Sequence, residues 1–276
     1  MLNKEIIIIT GAGQGIGKEI SKNIDSKFDL VLISKSSNCK KTLKEIKQYS
    51  NNFRRLFYYQ KDLRKEFSLF KLFKDIELKN YSAIHLILSA GIIDHNDKSY
   101  LNMEDWKQVF NTNFFSNIKI INSLIPFYKK IKKQSKIIVL SGGGAANSFK
   151  EFPIYSASKT ALIRTVENYS LKFKNLNLSI FGLAPGAVKT KMLSKVLKVA
   201  KVGKRSKKKD VSKFINKIFE HNTKYLNGKL IHVRDDLKKV KKNKNIDYLK
   251  LRRAEWMFFL LDLVTWDVKD LKYLNL

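Results

Sequence analysis

The sequence predicts an α/β domain built on a doubly wound parallel sheet of about seven strands, and three observations predict it. Short β-branched runs alternate with longer stretches of helical periodicity through residue 233. Several of the short runs are apolar throughout instead of alternating, as strands are when helices cover both faces of a sheet. No internal repeat and no Pro/Gly/Ser-rich linker divides the chain.

Strands are expected at residues 5–10, 29–34, 53–59, 83–89, 136–141, 177–183 and 229–233. Helical periodicity falls between them, over 17–24, 43–49, 67–76, 106–131 and 155–173. Right-handed crossovers wind such units into one sheet with helices on both sides. Residues 1–233 are expected to form the domain, with a lysine-rich loop at 189–209. Residues 234–276, including an apolar run at 256–266, are expected to be an extension packing on the same domain or on a partner subunit.

With 276 residues and 44% hydrophobic content, the chain buries a large core. Its one cysteine, Cys39, excludes an internal disulfide framework and fits a reducing compartment. The isoleucine run at residues 6–9 is too short for a signal peptide, and no stretch approaches the ~20 apolar residues of a membrane span, so a cytoplasmic location is expected. The histidines His85, His95, His221 and His232 lack ligand spacing, and no metal is expected.

The formal net charge of +31 raises the question of nucleic acid. Lysine, asparagine and isoleucine are abundant together, as in AT-rich coding, and the lysines spread over nearly every segment. Arginine, the better reader of phosphates and bases, is scarce. The aromatics follow core periodicity and do not form stacking platforms. No nucleic-acid partner is expected, although so positive a field draws anionic ligands, a phosphorylated cofactor among them.

Directly after the first strand, Thr10-Gly11-Ala12-Gly13-Gln14-Gly15-Ile16-Gly17 opens into a helix. A turn without side chains lets the backbone approach a pyrophosphate, and the helix start offers free N–H groups and positive dipole. The spacing is Gly-x-x-x-Gly-x-Gly through Gly11, Gly15 and Gly17; it is neither G-x-G-x-x-G nor a Walker A loop. The second strand ends Ser34-Lys35-Ser36-Ser37, with no acid to grip both ribose hydroxyls of NAD and with Lys35 where a cation accommodates the 2′-phosphate of NADP. The expected cofactor is therefore NADP(H) in preference to NAD(H), bound on a Rossmann-type sheet.

With these residues in place, the chain resembles the short-chain dehydrogenase/reductase family from the first strand to about Val233. Thr10 to Gly17 is similar to that family's TGxxxGxG turn, so the resemblance implies cofactor contacts from Gly11, Gly13, Gln14, Gly15, Ile16 and Gly17. Asp62 matches the aspartate that contacts the adenine, with Leu63 beside it. Ala90-Gly91 is what remains of an Asn-Asn-Ala-Gly motif, Leu88 and Ser89 standing for the asparagines. Pro185-Gly186, with Val188 and Thr190, matches the motif on the nicotinamide side. Asn113, Ser141, Tyr155 and Lys159 match the catalytic tetrad, Tyr155 and Lys159 also contacting the cofactor. The family's pairing of copies through its long helices implies a homodimer or homotetramer, here through 106–131 and 155–173.

Tyr-x-x-x-Lys recurs at Tyr128/Lys132 and Tyr225/Lys229, but only Tyr155/Lys159 opens a helix downstream of a serine-tipped strand. An i, i+4 pair shares a helix face, so the Lys159 ammonium can sit near the Tyr155 hydroxyl. Bringing a phenol from about 10 to near 7 takes roughly 4 kcal/mol of differential stabilisation. Tyr155 would exchange a proton with the substrate oxygen, Ser141 would hydrogen-bond that oxygen, and Asn113 would hold a water relay to Lys159.

One departure stands out: the family's serine lies thirteen residues before the tyrosine, which here is Gly142, with Ser141 one residue earlier. The glycine run after it is flexible enough to absorb the shift; otherwise the site lacks one carbonyl hydrogen bond. Residues 189–209 are read as a lid for an anionic substrate or as a solvated charged segment. Wording such as Pro185-Gly-Ala-Val resembles a subgroup of reductases encoded with surface-polysaccharide genes, which points to a sugar or sugar phosphate. The expected function is thus NADP(H)-dependent hydride transfer on an alcohol/carbonyl pair; the alternative is a catalytically silent NADP(H)-binding regulatory protein.

Overall fold

In the computed structural model, residues 4–48, 54–94 and 99–242 are described. The isoleucine run forms β1 (Glu5–Thr10), whose side chains alternate between the two faces of the sheet. Ile6 and Ile8 enter one core cluster and Ile7 and Ile9 the other. The chain continues through α1 (Gly15–Asn23), β2 (Asp29–Ser34), α2 (Asn38–Lys47), β3 (Leu56–Gln60), α3 (Phe70–Asp75) and β4 (Ala83–Leu88). Then come α4 (Met103–Phe110), α5 (Ser116–Tyr128), β5 (Ser135–Leu140), α6 (Pro153–Lys172) and β6 (Leu178–Ala184). The remaining elements are β7 (Ala187–Val188), α7 (Lys191–Val196), β8 (Arg205–Ser206), α8 (Lys208–Phe219), β9 (Leu230–His232) and α9 (Leu237–Lys242).

Seven strands form one sheet in the order β3-β2-β1-β4-β5-β6-β9, every pair parallel. Buried residues of α3, α5 and α6 complete the core on one face, and those of α1, α2, α8 and α9 complete it on the other. The sheet is doubly wound as expected. The strand order reverses between β1 and β4, and the crevice outside the carboxyl ends of strands at such a point is where open α/β sheets bind ligands.

The structure departs from the sequence reading in four places. The third strand begins at Leu56, with Phe53 outside the described residues. The helix expected over 106–131 is two helices, α4 and α5, joined by a π-helical turn, Asn111–Phe115. Residues 189–209 contain α7 and β8, and a further helix not expected from the sequence, α8, follows. Val211, Ile215 and Ile218 are buried at helical spacing on α8, which makes it the crossover that returns the chain to β9. Finally, a helix not expected from the sequence, α9, lies in the extension after Val233 and buries Leu237 and Val240 in the same core, and the first compact unit runs through Lys244. A second unit, Asn245–Leu276, carries the apolar run 256–266 and lies outside the described residues. Among the described residues no helix is long and apolar enough to cross a membrane.

At the amino ends of the strands a polar network is buried. The Lys136 N–H donates to His85 Nδ1 at 3.1 Å, which leaves the His85 proton on Nε2, 2.7 Å from the Glu5 carboxylate. Lys133 pairs with the same carboxylate. The Lys136 ammonium donates to the carbonyls of Ile218 and His221 at the end of α8. Burial by itself would raise the Glu5 carboxyl, but hydrogen bonds from His85 and Lys133 outweigh it and hold it at about 2. Burial pushes the His85 imidazole below its ordinary value.

Both shifts make the fold acid-sensitive. The unfolded chain protonates His85 first as pH falls below about 6.5 and Glu5 as it falls below about 4.5. The Glu5 contribution, on the order of 2–3 kcal/mol, is complete above pH 4.5 and is lost progressively towards pH 2. Urea midpoints measured from pH 8 to pH 2.5 are expected to fall in that window, and Glu5→Gln to be less stable at pH 7 with a flatter decline below pH 4.5. Parallel curves for the two proteins would remove Glu5 from this role.

Candidate active site

Two glycines of the β1–α1 turn hold a positive φ, Gly11 at 68° and Gly15 at 61°, which L side chains rarely adopt. A Cβ at Gly11 would lie 2.9 Å from the Ala90 nitrogen, and one at Gly17 only 2.5 Å from the Gly11 carbonyl oxygen. The turn therefore packs backbone to backbone against the loop leaving β4. Gln14 caps α1 without a side-chain hydrogen bond, so the N–H groups at the helix start are available to an anion. On its open side Gly15 faces Thr190, which caps α7 by accepting from the Leu193 N–H at 3.2 Å.

The lost asparagines of the β4 motif are compensated by a hydroxyl. Thr10 Oγ1 accepts from the N–H groups of Ser89 and Ala90, each at 3.1 Å, and so ties the two loops across the switch point.

At the outer end of the crevice, Gly13 packs against Ser34 and Asn38. Lys35 is exposed, its Nζ 3.8 Å from Asp62 Oδ2. Asp62 is gripped by Arg64: Nε lies 3.0 and 3.2 Å from the two carboxylate oxygens and Nη2 lies 2.7 Å from Oδ2. Those hydrogen bonds hold the carboxyl at about 2. Leu63 is buried in the core, so only its backbone can meet a ligand.

At the inner end, the π turn carries Asn113 fully buried between β4 and α6. Its Oδ1 accepts from the Ile92 N–H at 2.8 Å, and its amide nitrogen donates to the Ile92 carbonyl at 2.9 Å and to Ser158 Oγ at 3.0 Å. Both amide hydrogens are thereby used, and the Asn113 main-chain carbonyl accepts from the Asn117 side chain at 2.7 Å.

Tyr155 and Lys159 open α6 as expected and are both buried. The Lys159 ammonium donates to the Leu140 carbonyl at 2.9 Å and lies 5.9 Å from the Tyr155 ring centre. Burial pushes the phenol up to about 12 and the ammonium down to about 8. Gly91 approaches both Asn113 and Lys159. The residue against the Tyr155 hydroxyl is Gly142, where a Cβ would stand 2.9 Å from the oxygen. Ser141 Oγ is buried beside it with no hydrogen-bond partner among the described residues. Tyr128, in the other Tyr-x-x-x-Lys helix, is buried away at the end of α5, and Tyr225 lies in a short 3-10 turn before β9.

Pro185 follows β6 directly, and Gly186 turns with φ 71° against Ser206 and His232. Val188 is buried in β7. The segment beyond it packs inward with apolar side chains: Leu193 and Val196 of α7 join Ile93, Phe152 and Tyr155 in one cluster, while Lys191, Lys195 and Lys198 are exposed.

Two residues of this site escape a sequence reading. Arg64 is one. The other is Asp94, buried at 1% exposure, whose two oxygens accept from the N–H groups of Ile154 at 3.1 Å and Tyr155 at 2.9 Å. The carboxylate reaches α6 from a distant loop, and no spacing rule signals such a cap. Burial raises its carboxyl above the usual range, against the pull of the backbone N–H groups.

A family model described as short chain dehydrogenase matches residues 5–200. The 3-oxoacyl-[acyl-carrier-protein] reductase FabG of Buchnera aphidicola subsp. Baizongia pistaciae is 29% identical over 241 residues, 83% of this chain and 96% of that protein. Among solved structures, a short chain dehydrogenase from Shigella flexneri complexed with NADP superposes with a TM-score of 0.72 at 18% identity, covering 85% of this chain and 98% of that one. A 4-hydroxyisoleucine dehydrogenase complexed with NADH and succinate gives 0.68 at 20% identity, covering 82% and 96%.

Asp94 is expected to hold the start of α6. Asp94→Ala should cost about 1–3 kcal/mol in urea denaturation, since two buried N–H groups lose their acceptor. Hydrogen exchange at Ile154 and Tyr155 should accelerate far more than in the middle of α6. Unchanged protection at those two amides would show that the cap is dispensable.

Proposed function

The chain belongs to the short-chain dehydrogenase/reductase family, and from that premise we propose that it is an NADP(H)-dependent reductase of a carbonyl group borne on an apolar chain. The observation that carries this reading is the buried Tyr155–Lys159 pair on α6, at the carboxyl ends of the strands, with the glycine turn of β1 opening the same crevice.

The choice of cofactor rests on the residues after β2, because similar folds have been solved with either nucleotide. Ser34-Lys35-Ser36-Ser37 offers no carboxylate to a ribose diol and one cation to a 2′-phosphate. When bound, the nicotinamide supplies the hydride. Tyr155 delivers the proton to the substrate oxygen, and Ser141, with its unpaired buried hydroxyl, donates to the same oxygen. Lys159, beside Gly91, would hold the cofactor ribose, and Asn113 ties the loop after β4 to α6 around it.

The substrate reading shifts from a sugar towards an acyl chain. The side chains packed with Tyr155 are the buried apolar Ile93, Phe152, Leu193 and Val196, and Lys191, Lys195 and Lys198 of the same segment as Leu193 are exposed. Such apolar packing favours an alkyl or aryl flank over a polyol, and exposed lysines favour an anionic handle beyond the reacting carbonyl. A 3-oxoacyl group, which the name of the FabG relative places on an acyl-carrier protein, supplies such an acyl flank, and its thioester is the probe.

NADPH consumption with a 3-oxoacyl thioester should exceed that with a sugar phosphate, and Tyr155→Phe should lower kcat about 10²- to 10⁴-fold with NADPH affinity retained. No turnover with any carbonyl, or full activity in the variant, would favour the silent nucleotide-binding protein instead. Ser141→Ala should lower kcat about 10- to 100-fold; an unchanged kcat would assign the second hydrogen bond elsewhere while leaving Tyr155 in place. In calorimetric titrations NADPH should bind more tightly than NADH, and Lys35→Ala should erase the difference.

A further inference from the structure

We propose that Arg64 sets the preference for the phosphorylated nucleotide by neutralising Asp62 and thereby freeing the Lys35 ammonium. The inference rests on the NADP(H) reading above and adds a residue to it.

Asp62 is the second residue after β3, whose end pairs with the tip of β2 that precedes Lys35. A bare carboxylate there would oppose a 2′-phosphate twice. It would repel the incoming dianion, and it would capture Lys35, the cation meant for that phosphate. Lys35 Nζ lies 3.8 Å from Asp62 Oδ2, an ion pair beyond hydrogen-bond length, while Arg64 donates to both carboxylate oxygens. The guanidinium fork spans the carboxylate, and the Arg64 main-chain N–H adds a fourth hydrogen bond to Oδ1 at 3.1 Å.

The arginine is itself anchored. Its Nη1 donates to Gln108 Oε1 of α4 at 3.1 Å, and its carbonyl accepts from Asn111 of the π turn at 3.2 Å. It is therefore a fixed part of the crevice wall, unlike a loose surface ion pair. The three side chains sum to one net positive charge with Arg64 present and to zero without it. The two cations also differ in use: the fork matches a carboxylate, whereas a mobile lysine follows a phosphate as a point charge. An arginine two residues after an aspartate in a lysine-rich chain carries no motif, which is why only the geometry reveals it.

The test is calorimetric titration of the full chain with NADPH and with NADH. Arg64→Gln, and Arg64→Ala beside it, should weaken NADPH about tenfold and NADH less than about twofold. Asp62→Asn combined with Arg64→Gln should regain most of the lost preference, since the charge to be neutralised is gone. Equal weakening of both nucleotides would make Arg64 merely a wall of the adenine pocket and overturn the proposal. So would an unchanged ratio, or a double variant that recovers nothing, provided thermal melts show each variant folded; Arg64→Lys serves as the charge-retaining comparison and should keep part of the preference. If the unaltered protein binds neither nucleotide, the NADP(H) reading itself fails, an outcome distinct from all of these.

Discussion

The contact on which the rest depends is the approach of two loops across the switch point, where the Gly11 backbone lies against Ala90. It can form only because position 11 has no Cβ and because Thr10 Oγ1 satisfies two N–H groups that would otherwise be stranded. With those loops pinned, the start of α1 and the residues 90–94 have fixed positions above the sheet. The second loop then distributes that order. Ile92 pairs with the Asn113 side chain through both its N–H and its carbonyl, and Asp94 holds the first turn of α6. Tyr155 and Lys159 thus inherit their placement from a glycine two elements away.

Burial decides what this pair does at rest. A phenol held at about 12 keeps its proton at neutral pH, and an ammonium near 8 is mostly charged. That is the loaded state of a general acid. An alkoxide formed by hydride addition is a much stronger base than this phenolate, so proton transfer to it runs downhill. The reverse reaction needs the phenol ionised first, roughly 7 kcal/mol uphill from that value to pH 7. A single ammonium at 4–6 Å contributes only about 3–4 kcal/mol at an effective dielectric near 20. Ionising the phenol thus takes more than the Lys159 ammonium alone supplies.

Much of this was legible in the sequence because it is local. Strand apolarity, the glycine spacing and the Tyr155/Lys159 step are each written within a few adjacent residues. What stayed hidden depends on partners far apart in the chain. The apolar positions of α8 are diluted by lysines that lie on its exposed side, and the crossover to β9 shows only once the sheet is assembled. The π turn at Asn111–Phe115 has no sequence signature; it exists because Asn113 is drawn onto Ile92. Asp94 and Arg64 act through atoms 60 and 44 residues distant, at Ile154 and Gln108. The one-residue shift of Ser141 had been visible, but not its meaning: at the tip of β5 it is Gly142 that meets the tyrosine hydroxyl.

Charge gives the last step. A net +31 sets up a long-range field, but counter-ions screen it within about 8–10 Å at physiological salt, so it draws anions without discriminating among them. Discrimination requires cations with fixed surroundings, and three lysines show how differently one residue type is used. Lys136 is buried and spends its donors on the end of α8. Lys159 is buried and, among the described residues, donates to one carbonyl, that of Leu140. Lys35 is exposed and lies 3.8 Å from a carboxylate that an arginine also grips. It is the neighbours of each lysine, not the abundance of lysine, that set these differences.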